Sequence, residues 1–341
     1  MTKQTAGRKG ARGDSQQPEM EAGPSDSRSD RMRVRAAWMY FVEQMTQNEI
    51  AEVLGVGRVT VVRMLAEARA RNEVRIAIEG ELSDVIRQER ALERLFGVER
   101  AIVAPFSDET GNPIPVIGAA TGYYLSEAMK AGMSVGVGWG RTLFGTLPFI
   151  SPRPLADFRV ISLLGGVGVA RKSNPAEFAW RFAQVFQGDG YLIQAPAVVD
   201  SVQTKRALIE RCGLSEIFTL ADSLDAVLVS VGDIASASTF YRGGFLTEEE
   251  RQKLAASGAV GDLLFHFFDK DGQLVDHPIN DVGMSVDIDR IRKTPLRVLT
   301  SGGPEKVDAL LGAMKLISPT VLITDEQTAR KMIATVEADK S

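Results

Sequence analysis

Two groups of residues in this 341-residue chain have types and spacings that could do chemistry. The first is a set of glycine-rich segments with polar or cationic side chains: GVGWGRT at 136–142, GGVG at 165–168 and SGGPEK at 301–306. Backbone N–H groups at a turn into a helix attract anions. Arg141 adds a charge and Thr142 a hydroxyl beside Gly138 and Gly140. Lys306 follows Pro304 near a helix start, where proline suits the first turn. These residues read as a phosphate cradle, although sharp turns need glycine in any case. Asp262, in GAVGDLLFHFF, and Asp233, in VGDI, are placed to accept hydrogen bonds from sugar or polyol hydroxyls. Helix capping or simple solvation is the equal alternative for Asp233.

The second group is Arg58, Val59, Thr60, Val62 and Arg63, the outward face of a short helix. Arginine forks pair with guanine edges or phosphates, and valine packs on thymine methyls. Arg69 and Arg71, farther along, suit the DNA backbone rather than its bases. Every basic residue between 31 and 80 is arginine. A solvated helical face has the same charge, so charge alone does not decide between the two readings.

Several chemistries are excluded by composition. One cysteine, Cys212, and two histidines, His266 and His277, cannot form an ordinary N/S metal site or an intrachain disulfide. No metal and no cofactor is expected, and a reducing cytoplasm is the expected setting. No apolar run of about 18 residues exists for a membrane span, and the N-terminus lacks the apolar stretch of a signal peptide. His266 reads as a packed core residue and His277 as a loop residue. Phe178 and Trp180 read as core.

The elements that must position these groups follow from periodicity. Residues 1–30 lack aromatic residues, and β-branched residues after Thr5, so a disordered tail is expected. Val34, Ala37, Trp38, Phe41 and Val42 form the stripe of an amphipathic helix. Thr46 and Glu49 have capping-box spacing ahead of a second helix through Ile50, Ala51 and Leu54. Gly55 supplies the positive φ of a turn. A third helix carries Val61, Met64, Leu65 and Ala68. A strand at 74–78 would act as a wing or bracing hairpin. An αα-hairpin shares this pattern, but the upstream arginines, the capping box and the polar remainder of the third helix favour a helix-turn-helix.

Residues 81–97 read as a linking helix. Beyond them, apolar runs at 101–104, 135–137, 160–164, 191–193, 226–231, 263–268, 296–299 and 321–323 alternate with helical stretches at 116–130, 175–186, 248–255, 304–316 and 326–336. Such alternation predicts an α/β domain over 98–338 with a largely parallel sheet. Ligands of such sheets sit outside the carboxyl ends of strands. Residues 1–80 carry net charge +2 and the remainder −6, within a total of −4. That division would leave nucleic-acid binding to the smaller part.

The segment RAAWMYFVEQMTQNEIAEVLGVGRVTVVRMLAEAR resembles the N-terminus of the SorC family of sugar-responsive bacterial transcription regulators. The resemblance continues through GVGWGRTL, VISLLGGVG, GAVGDLLFHFFDKDG, SGGPEKVDALLGAM and VLITDEQTA, from about Arg31 to Ala334. It implies a winged-type helix-turn-helix joined to an effector domain similar to the phosphosugar isomerase and glucosamine-phosphate deaminase fold, working as a sensor. The partners implied are double-stranded operator DNA, a sugar, polyol or sugar-phosphate effector, and further copies of the chain in a dimer or tetramer, with the linking helix in the dimer contact. No membrane partner is implied. The effector's phosphate would lie at Gly140, Arg141 and Thr142 with Lys306, and its hydroxyls at Asp262 and Gly165-Gly166. The wording of the segments points toward polyol operons such as erythritol catabolism. Gly57 and Val62 stand where the family commonly has polar residues, so the operator sequence does not carry over. Trp139 stands where many relatives have a small residue, which leaves the pocket's size and ligand open. The alternative is an active sugar-phosphate isomerase or deaminase with a DNA-binding appendage. Against it, Asp262 has no histidine and no second carboxylate at a useful spacing in the sequence.

Overall fold

A computed structural model of the chain describes residues 28–74, 83–108, 111–168, 174–234 and 246–338. The expected tail, up to residue 27, and the expected strand, from residue 75, lie outside the described residues. The chain forms two compact units, Met1–Ala77 and Ile78–Ser341.

The small unit holds α1 (Arg28–Phe41), α2 (Gln47–Leu54) and α3 (Arg58–Ala70). Thr46 caps α2 through its side chain, and Glu49 reaches back to the Thr46 N–H at 2.7 Å, completing the capping box. Gly55 ends α2 with φ 65°, a conformation that costs a side-chain-bearing residue more. Ile50, Val61, Leu65 and Ala68 form the core with Ala36, Ala37 and Met39 of α1.

The apolar stripe expected of α1 is largely turned outward. Ala37 is buried and Phe41 packs on the core, but Val34, Trp38 and Val42 are 50%, 58% and 55% exposed. The inner face instead carries small residues and Arg33, which is only 4% exposed. Its guanidinium reaches Asp30 (2.7 Å), Glu67 (3.5 Å) and Glu73. One buried arginine, ion-paired to partly exposed carboxylates, therefore stands between α1 and the end of α3, a choice that hydrophobic periodicity does not register.

The large unit begins with α4 (Ser83–Phe96), β1 (Arg100–Ala104), α5 (Ile114–Ala128), β2 (Ser134–Val137), α6 (Arg141–Phe144), β3 (Arg159–Ser162), α7 (Pro175–Val185) and β4 (Asp189–Tyr191). It continues with α8 (Val202–Arg211), α9 (Ser215–Leu220), β5 (Ala226–Val229), β6 (Gly232–Asp233), α10 (Glu248–Ala256), β7 (Gly261–Leu263) and β8 (His266–Phe268). The last elements are α11 (Ile279–Val282), α12 (Ile288–Lys293), β9 (Leu296–Thr300), α13 (Val307–Ile317), β10 (Val321–Asp325) and α14 (Glu326–Ala338).

Seven strands form one parallel sheet in the order β1-β10-β9-β5-β2-β3-β4. Its middle strand, β5, is buried at every residue, with Ala226 and Leu228 in one core and Val227 and Val229 in the other. Both faces are covered, so the strands read as unbroken apolar runs rather than alternating ones. On one face Phe178 and Phe182 of α7, with Phe186 just past its end, form a tilted and edge-to-face series, and Phe158 packs on Phe182 and Phe186. Trp180 is 52% exposed, contrary to expectation. Two residues along a helix is more than half a turn, so it points away from Phe178.

The region expected to link the two units packs within the large one. In α4, Leu92 is fully buried, and the Glu93 and Glu89 carboxylates accept the N–H groups of Ala101 (3.1 Å) and Val103 (2.9 Å) on the edge strand β1. This satisfies part of a sheet edge that would otherwise expose its donors.

A small antiparallel sheet, β6-β7-β8, corrects the expected single strand at 263–268. Leu263 pairs with His266, leaving Leu264 and Phe265 as a two-residue hairpin turn. Both have left-handed backbones, φ 55° and 66°, where such turns ordinarily use Asn-Gly. The cost is about 1–2 kcal/mol per residue. Burial of both side chains offsets it, together with the Asp262 carboxylate, which accepts the Phe265 N–H at 3.2 Å.

Candidate functional site

The large unit gathers one cleft at the carboxyl ends of three adjacent strands. From the end of β2 come Trp139, Gly140, Arg141 and Thr142, and from the end of β5 come Ser230, Val231, Gly232 and Asp233. Asp262 of β7 and Lys306, beyond β9, complete the lining.

Each polar group has a structural reason for its place. Gly140 precedes α6, which presents Arg141 outward and buries Thr142. The pairing of β6 with β7 sets Gly232 opposite Asp262, and a Cβ at residue 232 would lie 2.2 Å from Asp262 Oδ1. A side chain at residue 232 would displace that carboxylate from its present position. Lys306 is carried by the SGGPEK loop, whose Gly303 N–H is held by Asp325 Oδ2 (3.2 Å) and Thr328 Oγ1 (2.8 Å). Asp325 is buried, and it also accepts the Thr328 N–H at 2.9 Å at the start of α14. The end of β10 thereby anchors the loop that delivers the lysine.

The electrostatics divide the cleft. Burial raises the Asp262 carboxyl to about 6; the Phe265 N–H opposes that rise, and nearby Asp233 adds to it. Burial pushes the Lys306 ammonium below the ordinary lysine range, against the pull of Asp233 and Glu305. Two carboxylates and two cations thus share one cleft. Such a lining can accept hydrogen bonds from hydroxyls and donate to an anion. Trp139 forms part of the wall and stacks on Phe265, with centroids 5.8 Å apart at 27°. The strained β7–β8 turn therefore supports both the wall and the Asp262 carboxylate.

Gly140, Arg141, Thr142, Asp262 and Lys306 are brought together as expected, and Asp233 joins them. The pairing of β6 with β7 also corrects the expectation that Asp262 lacks a neighbouring carboxylate. Sequence spacing hides it because 28 residues separate the two aspartates. Gly138 lies just outside the lining and packs against Leu264: a Cβ there would come within 3.2 Å of its Cδ2. Gly165 and Gly166 are not among the residues that line the cleft. Their N–H groups donate to Met284 O (2.8 Å) and Ala195 O (2.7 Å), which ties neighbouring loops together. His266 is buried, with Nε2 3.2 Å from Val286 O and 3.1 Å from Ser285 Oγ, and its environment is that of the core.

In the small unit, Arg58, Val59, Val62 and Arg63 of α3 are exposed and Thr60 is half-buried. Arg58 Nε donates to Gln47 Oε1 at 3.3 Å, which ties the start of α3 to α2.

The large unit is thus a parallel α/β domain with a mixed-charge cleft at its strand ends, and the small unit is a set of three helices. Comparison with known proteins makes this specific. Residues 80–334 match the Sugar-bind family of sugar-binding domains, and the chain belongs to that family, that of the SorC-type transcriptional regulators. It is 29% identical over 307 residues to the erythritol catabolism regulatory protein EryD of Brucella abortus, covering 89% of this chain and 96% of the relative. It is 29% identical over 313 residues to the deoxyribonucleoside regulator of Bacillus subtilis, covering 90% and 99%. The full-length sorbitol operon regulator SorC of Klebsiella pneumoniae has a similar structure, with TM-score 0.68 and 25% identity over 89% of this chain and 98% of that one.

Proposed function

We propose that this regulator binds operator DNA through a helix-turn-helix formed by α2 and α3, within residues 31–80. Its affinity for DNA is controlled by a sugar, polyol or sugar-phosphate effector held in the domain spanning 98–338. The observation that carries this reading is the convergence of Arg141 and Lys306 with Asp233 and Asp262 in one cleft. A phosphate would sit with Gly140, Arg141, Thr142 and Lys306, and the hydroxyls would meet Asp262 and Asp233. Trp139 would close one side.

On α3, Arg58, Val59, Thr60, Val62 and Arg63 would face the major groove. The capping box of α2 and the left-handed Gly55 support that geometry, since they fix the angle at which α3 leaves α2. The names of the relatives, which concern erythritol, deoxyribonucleosides and sorbitol, support a carbohydrate or polyol operon as the target. Effector control requires different affinities for two assemblies of the chain, and a symmetric oligomer reading two half-sites supplies them. The effector domain would act as a sensor, and any architecture shared with sugar-phosphate isomerases and deaminases would be a matter of scaffold alone.

Reciprocal variants test the assignment, with operator DNA selected from a random duplex pool by the wild-type chain. Arg63→Ala should lose ten- to a hundredfold in operator affinity, about 1–3 kcal/mol, and keep effector binding. Arg141→Ala and Lys306→Ala should keep operator binding and lose its response. A normal response in Arg141→Ala would remove the cradle from the account. Product formation from sugar phosphates would contradict the sensor reading.

A further inference from the structure

Arg58 opens α3, where a long cation can grip either the DNA backbone or a base, and the neighbouring helix decides between them. Its Nε donates at 3.3 Å to Oε1 of Gln47, the first residue of α2. A guanidinium has donors only, so Gln47 must turn its carbonyl oxygen to Arg58. The carboxamide thereby keeps both of its N–H donors for another partner. Gln47 is half-buried and Arg58 is exposed, so the less mobile side chain steadies the freer one. The bond consumes Nε and fixes the plane of the guanidinium. What remains is the pair of terminal nitrogens, the end of the fork that meets O6 and N7 of a guanine. Among the described residues, no carboxylate pairs with Arg58 to draw that end away.

Gln47 and Arg58 line an open groove together with Tyr40, Thr46 and Asn48. The Tyr40 hydroxyl and the Gln47 and Asn48 amides can all donate, and no carboxylate is among the lining residues. Neutral donors of these types are common partners of DNA phosphates. We propose that Gln47 is a positioning residue for operator reading. Its amide N–H donates to one backbone phosphate seated in this groove, while its carbonyl oxygen holds Arg58 Nε. Arg58 then presents both terminal nitrogens to a single guanine. Because neutral donors already serve the phosphate, the charge of Arg58 is left for the base. This relay rests on the helix-turn-helix reading above, and it adds which contact Arg58 makes and what aims it.

The test uses the full chain, the operator that the wild type selects, and duplexes in which each base pair is changed singly. Wild type should discriminate against replacement of one guanine by about tenfold or more. Arg58→Ala should lose that discrimination and keep the others. Gln47→Ala should lose most of it at the same base pair, although residue 47 touches no base. The variant should also be indifferent to a neutral methylphosphonate at one backbone position that weakens the wild type severalfold. Alanine suits the first turn of α2 and leaves Thr46 and Glu49 in place, so melting should not change. Gln47→Glu keeps an acceptor for Arg58 Nε but repels the phosphate, so it should keep the guanine preference while every duplex binds more weakly. A Gln47→Ala variant that weakens all duplexes alike and keeps the guanine preference overturns the relay, as does Arg58→Ala with its base preferences intact. Arg63→Ala separates these failures from that of the underlying reading. Weakened binding there, beside an unchanged Gln47→Ala profile, sinks the relay alone; unchanged binding in Arg63→Ala sinks the helix-turn-helix reading itself.

Discussion

The exposed face of α3 and the cleft of the large unit are built in opposite ways. Of the five α3 residues, four are exposed, and among the described residues a side-chain tie joins Arg58 to Gln47. The cleft residues are shared with the fold. Asp262 holds the β7–β8 turn, Trp139 stacks on that turn, and Lys306 rides on a loop fixed by Asp325. A surface that reads DNA can change residue by residue without disturbing its scaffold, because its side chains do little for stability. A cleft whose ligand contacts also brace the structure transmits occupancy into its surroundings, and its substitutions should affect binding and stability together.

The largest expected effect breaks the small unit alone. Arg33→Ala removes the cation from among Asp30, Glu67 and Glu73 and leaves three carboxylates close together around a buried site. Solvent screens these partly exposed carboxylates, but the space and hydrogen bonds of the buried guanidinium are lost. The small unit should be destabilised and operator binding weakened, while effector binding by the large unit persists. A calorimetric scan should show an early transition absent from the wild type; a single unchanged transition would contradict the assignment.

A second effect tests whether the cleft couples binding to stability. The Asp262 carboxyl rises to about 6 in the folded protein, from an ordinary 3.8. Between those values the folded state retains a proton that the unfolded state has released. Stability should therefore fall as pH rises from about 4 to 6, by at most about 3 kcal/mol. Asp262→Asn, which keeps an acceptor for the Phe265 N–H, should flatten this slope in denaturant titrations. Effector affinity should move the other way, improving several-fold above pH 6 as the carboxylate ionises, and Asp262→Asn should weaken it. A wild-type slope preserved in Asp262→Asn would assign the titration elsewhere.

The smallest effect sharpens the contrast on the α3 side. Thr46→Ala removes the cap of α2 and should cost about 1 kcal/mol of small-unit stability. Operator affinity should fall only by the small fraction of chains unfolded, unlike Arg63→Ala, which should weaken binding with no change in melting.

The same contrast explains what was legible in the sequence. Local signals carried the three-helix unit: Thr46 with Glu49, Gly55, and the buried Val61, Leu65 and Ala68 all stand where spacing puts them. The strands of the parallel sheet were legible as apolar runs because both faces are buried. Arg141, Thr142 and Lys306 were visible from their glycine-rich settings. The Asp233–Asp262 pair was not, because it depends on the pairing of β6 with β7. The Leu264-Phe265 turn was hidden because its residues are apolar, and packing overrides their backbone preference. Asp325 followed by Thr328 is a helix-start signal in VLITDEQT, but its second role under Gly303 needs the neighbouring strand. The outward turn of Trp38 was missed because periodicity finds a stripe without telling which side of the helix faces the core. Arg33 decides that.

The most direct measurement is a thermal shift of the full chain against sugars, polyols and their phosphates at millimolar concentration, with wild type and Arg141→Ala in parallel. Binding to the native state alone at 100 times the dissociation constant stabilises by about 2.7 kcal/mol. The account predicts a shift with one phosphorylated compound that also changes operator affinity, and its loss in Arg141→Ala. A shift of equal size in both proteins would place the ligand outside the cleft and contradict the account.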